Sequence, residues 1–170
     1  MAITDTNLKW YYSGGTGNTD PLASLGGAIS STEVGTSIHS LFDRVTGAEA
    51  LAGSIEYRCV FFKNTDADAD GLITPKVFIQ SNTSSADTTL AIALDPAGKN
   101  ASATTIGTEV TTPTGPSFTT PTDYAGGLAL PTAPYAQNDY VAIWIRRTVT
   151  AGAGNAASDA ANIRVQGDTI

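Results

Sequence analysis

The sequence predicts an all-β fold: a single antiparallel β-sandwich, immunoglobulin-like or jelly-roll-like, with little helix and an extended N-terminal arm. Three observations carry this expectation. Segments rich in Val, Ile, Thr and aromatic residues recur along the chain, several of them alternating apolar with polar. Clusters of Gly, Pro, Asn and Asp, the residues that turns require, separate them. No helical period longer than two turns is present. The chain has 170 residues, enough for one domain that folds without staples. Hydrophobic residues make up 41%, and many are Ala, so the core is expected to be thin.

Residues 1–21 read as an N-terminal arm and Gly-rich linker, and residues 22–170 as the sandwich domain. The arm carries Leu8, Trp10, Tyr11 and Tyr12, followed by Gly14, Gly15 and Gly17, which cannot hold a regular element. These four residues either pack as an edge strand on their own sandwich or clamp a neighbouring subunit. Residues 22–55 place Ile38, Leu41, Phe42 and Val45 at helical spacing, but their Gly and Thr content favours an extended 41–44 and a loop over 46–53.

Residues 56–63 (EYRCVFFK) form the best strand. Tyr57, Cys59 and Phe61 share one face and Arg58, Val60 and Phe62 the other, as in a central strand. Residues 72–80 (LITPKVFIQ) form a second, with Val77 and Ile79 inward and an edge or bulge at Pro75. The two read as a hairpin with a long acidic loop. Residues 88–94 alternate Leu90, Ile92 and Leu94 with Thr89, Ala91 and Ala93, a half-buried strand that Asp95-Pro96-Ala97-Gly98 closes. Residues 99–138 contain Pro113, Pro116, Pro121, Pro131 and Pro134 and suit long connections, with short strands around 103–111 and Phe118. Residues 139–150 and 162–166 supply the last strands, with Trp144 in the core.

Charge and chemistry narrow the function. The net charge is −7 and the pI about 4.4, so a phosphate backbone repels this surface. No basic run exists, and Arg146 and Arg147 point to opposite faces of a strand. Neither nucleic acid nor a membrane is an expected partner. No apolar run is long enough to span a bilayer, and residues 1–7 do not resemble a signal peptide, so synthesis in a cytoplasm is expected. The Asn82 and Asn100 glycosylation patterns are then chance matches. Cys59, alone, reads as a buried small hydrophobe.

No catalytic set is expected. His39 has no motif around it, no nucleophile elbow occurs, and zinc lacks ligands. Glu33, Glu49, Glu56 and Glu109 are scattered carboxylates whose spacing selects no glycosidase pair. One motif has ligand spacing: Asp66, Asp68 and Asp70, followed by Gly71, suit a Ca²⁺ loop. The twelfth position is Val77 where a bidentate Glu is needed, so the site is incomplete and the solvated-turn reading is preferred. No other cofactor is expected.

Three strings, LKWYYSGGTGNTDPLASLGGAIS at 8–30, EALAGSIEYRCVFFKNT at 49–65 and VAIWIRRTVTAGAG at 141–154, together resemble small β-sandwich structural proteins of tailed bacteriophages. The resemblance spans most of the chain. It implies a virion protein made in the host bacterial cytoplasm, most simply a capsid decoration (cement) protein on the head surface bound to the major capsid protein. It further implies a homo-oligomer, by analogy a trimer at three-fold positions. The alternatives are a tail, collar or baseplate accessory and a carbohydrate- or host-binding module using Trp10, Tyr11, Tyr12 or Trp144 as stacking platforms.

Overall fold

The computed structural model describes residues 3, 5–67, 71–156 and 159–169. Eight strands and one short α-helix follow in order among these residues, besides two single-turn 3-10 helices: β1 (Leu8–Ser13), β2 (Ile29–Glu33), α1 (Gly47–Ala52), β3 (Ser54–Asn64), β4 (Ile73–Ser81), β5 (Thr88–Lys99), β6 (Leu128–Ala129), β7 (Tyr140–Val149) and β8 (Asn162–Asp168). They form two antiparallel sheets, one of five strands ordered β2-β1-β3-β7-β5 and one of three ordered β6-β4-β8. The all-β sandwich expected from the sequence is present.

The core lies in two layers because the long sheet is covered on both faces. Between the sheets, Val60 and Phe62 of β3 and Val141, Ile143 and Ile145 of β7 meet Val77 and Ile79 of β4 and Val165 of β8. On the opposite face Tyr57, Cys59, Phe61 and Trp144 are roofed by Ala103, Ile106 and Phe118. That roof is the Pro-rich connection, in which strands were expected around 103–111. It forms isolated bridges instead, Gly27 with Ala103 and Ile92 with Thr119. Pro113 and Pro116 offer no N–H to a ladder, so the segment bonds the sheet point by point. Gly26 lets it approach: a Cβ there would sit 1.8 Å from the Thr104 carbonyl oxygen.

Four local expectations are corrected. Residues 8–13 pack on their own sandwich, one of the two readings, but not as an edge strand: β1 lies between β2 and β3, with Leu8–Tyr12 paired to β3 and Val60 opposite Tyr12. β3 and β4 are not a hairpin, because β1 and β7 fill both edges of β3 and β4 joins the other sheet. β5 is buried on both faces and continues to Lys99 through a register shift. Asp95 makes that bulge, accepting from the Ala97 N–H at 2.9 Å and the Thr104 N–H at 3.0 Å. Pro75 sits at a register shift in β4, as expected, although β4 is the central strand of its sheet.

The fourth correction is α1, where a loop was expected. Thr46 accepts from the Glu49 N–H at 3.3 Å and the Glu49 carboxylate accepts from the Thr46 N–H at 2.6 Å, a reciprocal capping box. Those bonds hold the Glu49 carboxyl below the usual range. Thr46→Ala is expected to lower stability by about 1 kcal/mol, read from the midpoint of urea denaturation.

Candidate functional site

The partner-binding candidates of the N-terminal strand divide by face. Tyr12 is buried and donates its hydroxyl to the Ser40 carbonyl at 2.6 Å. Trp10 is half-buried, edge-on to Phe62 with centroids 5.9 Å apart, and Leu8 packs on the same core. Tyr11, on the opposite face, lies 5.8 Å beneath the Lys63 ammonium. Burial and the neighbouring Glu33 carboxylate raise its hydroxyl pKa. Trp144 is fully buried and cannot stack on a ligand. Cys59 is likewise buried, and desolvation pushes its thiol up, so it stays protonated and inert.

Leu8 and Trp10 face the mouth of the sandwich. Across from them stand Ile163 and Val165 of β8, with the buried Phe62 between, and the polar Asp5, Gln80, Asn162 and Arg164 line the rest of the hollow. The hollow between is shallow and open to solvent. It lies where the short sheet stops at β8 while the long sheet continues into β1.

The acidic loop gives a partial answer. Asp66 accepts from the Asn7 side-chain amide at 2.7 Å, which ties the loop to the start of β1. Asp68 and Asp70 lie outside the described residues. His39 is exposed, in the left-handed region at φ 62°.

Of the scattered carboxylates, the fold brings Glu56 and Glu109 together and adds Asp43; their oxygens lie within 4.8 Å of one another. Two guanidiniums stand among them. Arg58 is fully buried and donates to Glu109 and to the Leu41 and Tyr57 carbonyls. Arg147 donates to Glu56 at 2.5 Å, to the Asp43 carboxylate at 3.3 Å and to the Asp43 carbonyl at 2.7 Å. Phe42 spreads its ring against both, 5.5 Å from Arg58 and 4.8 Å from Arg147. Glu56 is 1% exposed, and desolvation raises its pKa against the lowering pull of Arg147. The cluster ties residues 41–43 and Glu109 to the end of the long sheet where β3 begins and β7 finishes. Sequence reading put Arg58 on the same face as Val60 and Phe62, but it supplied no partner for a buried guanidinium.

The remaining cations are also engaged inside the chain, apart from Arg44 and Arg164, for which no such contact occurs among the described residues. Lys9 pairs with Glu33 at 3.1 Å, Lys76 lies over Tyr124, and Arg146 lies over Phe118. Lys99 pairs with Asp139 at 2.7 Å and donates to the Pro134 carbonyl at 2.8 Å.

The chain matches no protein-family model, no curated protein and no solved structure.

Asp139 supplies a pH test of this charge arrangement. Burial pushes its carboxyl up, but bonds from Asn100, Lys99 and the Ala136 N–H outweigh it and hold the carboxyl below its usual value. A depressed carboxylate contributes stability that is full above the unfolded value and is lost as pH falls through the folded one. Asp139→Asn is expected to flatten the acid limb of a stability–pH curve. It should cost about 1–2 kcal/mol at neutral pH, measured by denaturant titration from pH 3 to 7.

Proposed function

We propose that this chain is a virion structural protein of a tailed bacteriophage, a decoration (cement) protein that binds the outside of the head and stabilises the shell. The observation that carries the reading is the fate of the cations. Arg58 and Arg147 are buried, and Lys9, Lys63, Lys76, Lys99 and Arg146 are committed to carboxylates or rings within the chain. With a net charge of −7, such a surface repels packaged DNA and suits the outer side of a filled shell. A sheet buried on both faces is a stiff slab, fit for carrying load across joints between shell subunits. The resemblance of the strings at 8–30, 49–65 and 141–154 to phage structural proteins is a second support for the reading. Binding only the assembled lattice, the protein would stabilise it by mass action.

The test is copy number in purified virions, by quantitative mass spectrometry against the major capsid protein. A ratio near parity, with virions lacking the protein bursting at lower temperature, is the expected result. A few copies per particle would move the protein to the tail, collar or baseplate. The carbohydrate-binding alternative keeps only Trp10 and Tyr11 as platforms, since Tyr12 and Trp144 are buried. A glycan array that stays silent counts against it.

A further inference from the structure

We propose that the outer edge of β8 takes up one extended segment of a partner protein as an added antiparallel strand. This inference goes beyond the virion reading and does not depend on it.

The backbone parity of β4 sets which groups of β8 are free. The Leu130 N–H donates to the Pro75 carbonyl at 2.8 Å, and the Ile79 N–H donates to the Pro121 carbonyl at 2.8 Å. Val77, between them, faces Leu128 of β6. The odd-numbered residues of β4 thus direct their backbone groups away from β8, and Lys76 and Phe78 direct theirs toward it. Their partners there are Gln166 and Arg164. Alternate residues of an antiparallel strand bond to opposite sides, so Ile163, Val165 and Gly167 turn their N–H and C=O groups outward. β8 is the last strand of its sheet, and no described segment pairs with that edge.

The bed for an added strand is present as well. The far margin of the sandwich is closed by residues 119–121, where Thr119 exchanges two bonds with Ile92 of β5 and Pro121 accepts from Ile79 of β4. The β8 margin has the open hollow instead, with Leu8 and Trp10 across from Ile163 and Val165 and with Asp5 and Gln80 also on its wall. The inward side chains of a strand added beside β8 would lie over Leu8 and Trp10.

The shape of the margin selects the occupant. The long sheet runs on past β8 into β1 and β2. Two copies joined edge to edge at β8 would drive those overhanging strands into each other. A single extended segment brings no second layer and fits. Charge sets its pattern: Arg164 has no ion pair among the described residues, and Asp168, which accepts from the Thr74 hydroxyl at 2.7 Å, stands four residues on along the same solvent-facing side. The complementary segment has an acidic residue opposite Arg164, a basic residue opposite Asp168 and apolar residues between.

A suitable probe is the heptapeptide Asn-Ile-Arg-Val-Gln-Gly-Asp, which repeats the β8 sequence without its second layer. Paired antiparallel about Gln166, it sets its Asp opposite Arg164 and its Arg opposite Asp168, and aims its Val and Gly backbone groups at Gly167 and Val165. In a titration of the full chain followed by NMR, saturable binding is expected. Hydrogen exchange should slow about tenfold or more at Val165 and Gly167. N-methylation of the peptide Val should abolish binding, and N-methylation of its Gln should not. Arg164→Glu should weaken binding at least about threefold, and Lys in place of the peptide Asp should restore it. Absence of perturbation along β8 at millimolar peptide overturns the proposal. Equal effects of the two N-methyl groups overturn it too. So does sedimentation of a dimer that Arg164→Glu dissociates, since the edge would then belong to a second copy.

Discussion

Arg147→Ala is expected to destabilise the protein by about 3–5 kcal/mol. The reason is what remains. Glu56, 1% exposed, loses its 2.5 Å partner and stays enclosed in the sheet, and Asp43 loses both its carboxylate and carbonyl contacts. The loss carries a pH signature. Without Arg147 the Glu56 carboxyl is raised further by burial, and a raised carboxyl contributes stability at low pH that is lost as pH rises through its folded value. The deficit should therefore be smaller in acid than at neutral pH. Denaturant titrations of wild type and variant between pH 4 and 8 check both the size and the slope. A pH-independent deficit would mean that lost packing on Phe42, 4.8 Å from the guanidinium, and not the stranded charge, sets the cost.

Trp144→Ala is expected to cost about 3–5 kcal/mol or to prevent folding. Trp144 is fully buried at the centre of β7, opposite Cys59 of β3 and Ala93 of β5. Its indole N–H donates to Asp95 at 2.8 Å, and the same carboxylate holds the Thr104 N–H. The ring thus joins the long sheet to its loop roof. Trp144→Phe isolates the hydrogen bond from most of the packing and is expected to cost about 1–3 kcal/mol. In that variant the amides of residues 103–106 should exchange faster while those of β3 and β7 remain protected. Uniform loss of protection would show that the roof does not open independently of the sheet.

Both predictions turn on residues whose type was visible in the sequence and whose partners were not. The alternation of Tyr57, Cys59 and Phe61 with Arg58, Val60 and Phe62 marked β3 as a central strand covered on both faces, and the structure places it between β1 and β7. The alternation could not say that Arg58 would be enclosed beside Glu109, 51 positions away, because ion pairing across a fold leaves no local period. The capping box at Thr46 and Glu49 has a local spacing, Thr-x-x-Glu, but the six-residue helix it opens is too short to show an apolar period, and the loop expectation missed it. Acid–base clustering was not legible at all: Asp43, Glu56, Glu109 and Arg147 lie on four separate segments.

The sequence by itself determined that this is an all-β protein, where β3, β4, β5, β7 and β8 run, and that Trp144 and Cys59 are core. Each follows from period-two patterning and turn chemistry, which are local. Only the tertiary structure decided which strands pair, and it moved β1 from an arm into the middle of a sheet and β4 away from β3. Strand pairing is set by which edges remain open once the others are filled, and by the burial that each face gains. These are properties of the assembled layers. The free edge of β8 and the hollow beside Trp10 follow from the same cause: a five-stranded sheet packed on a three-stranded one leaves one margin short.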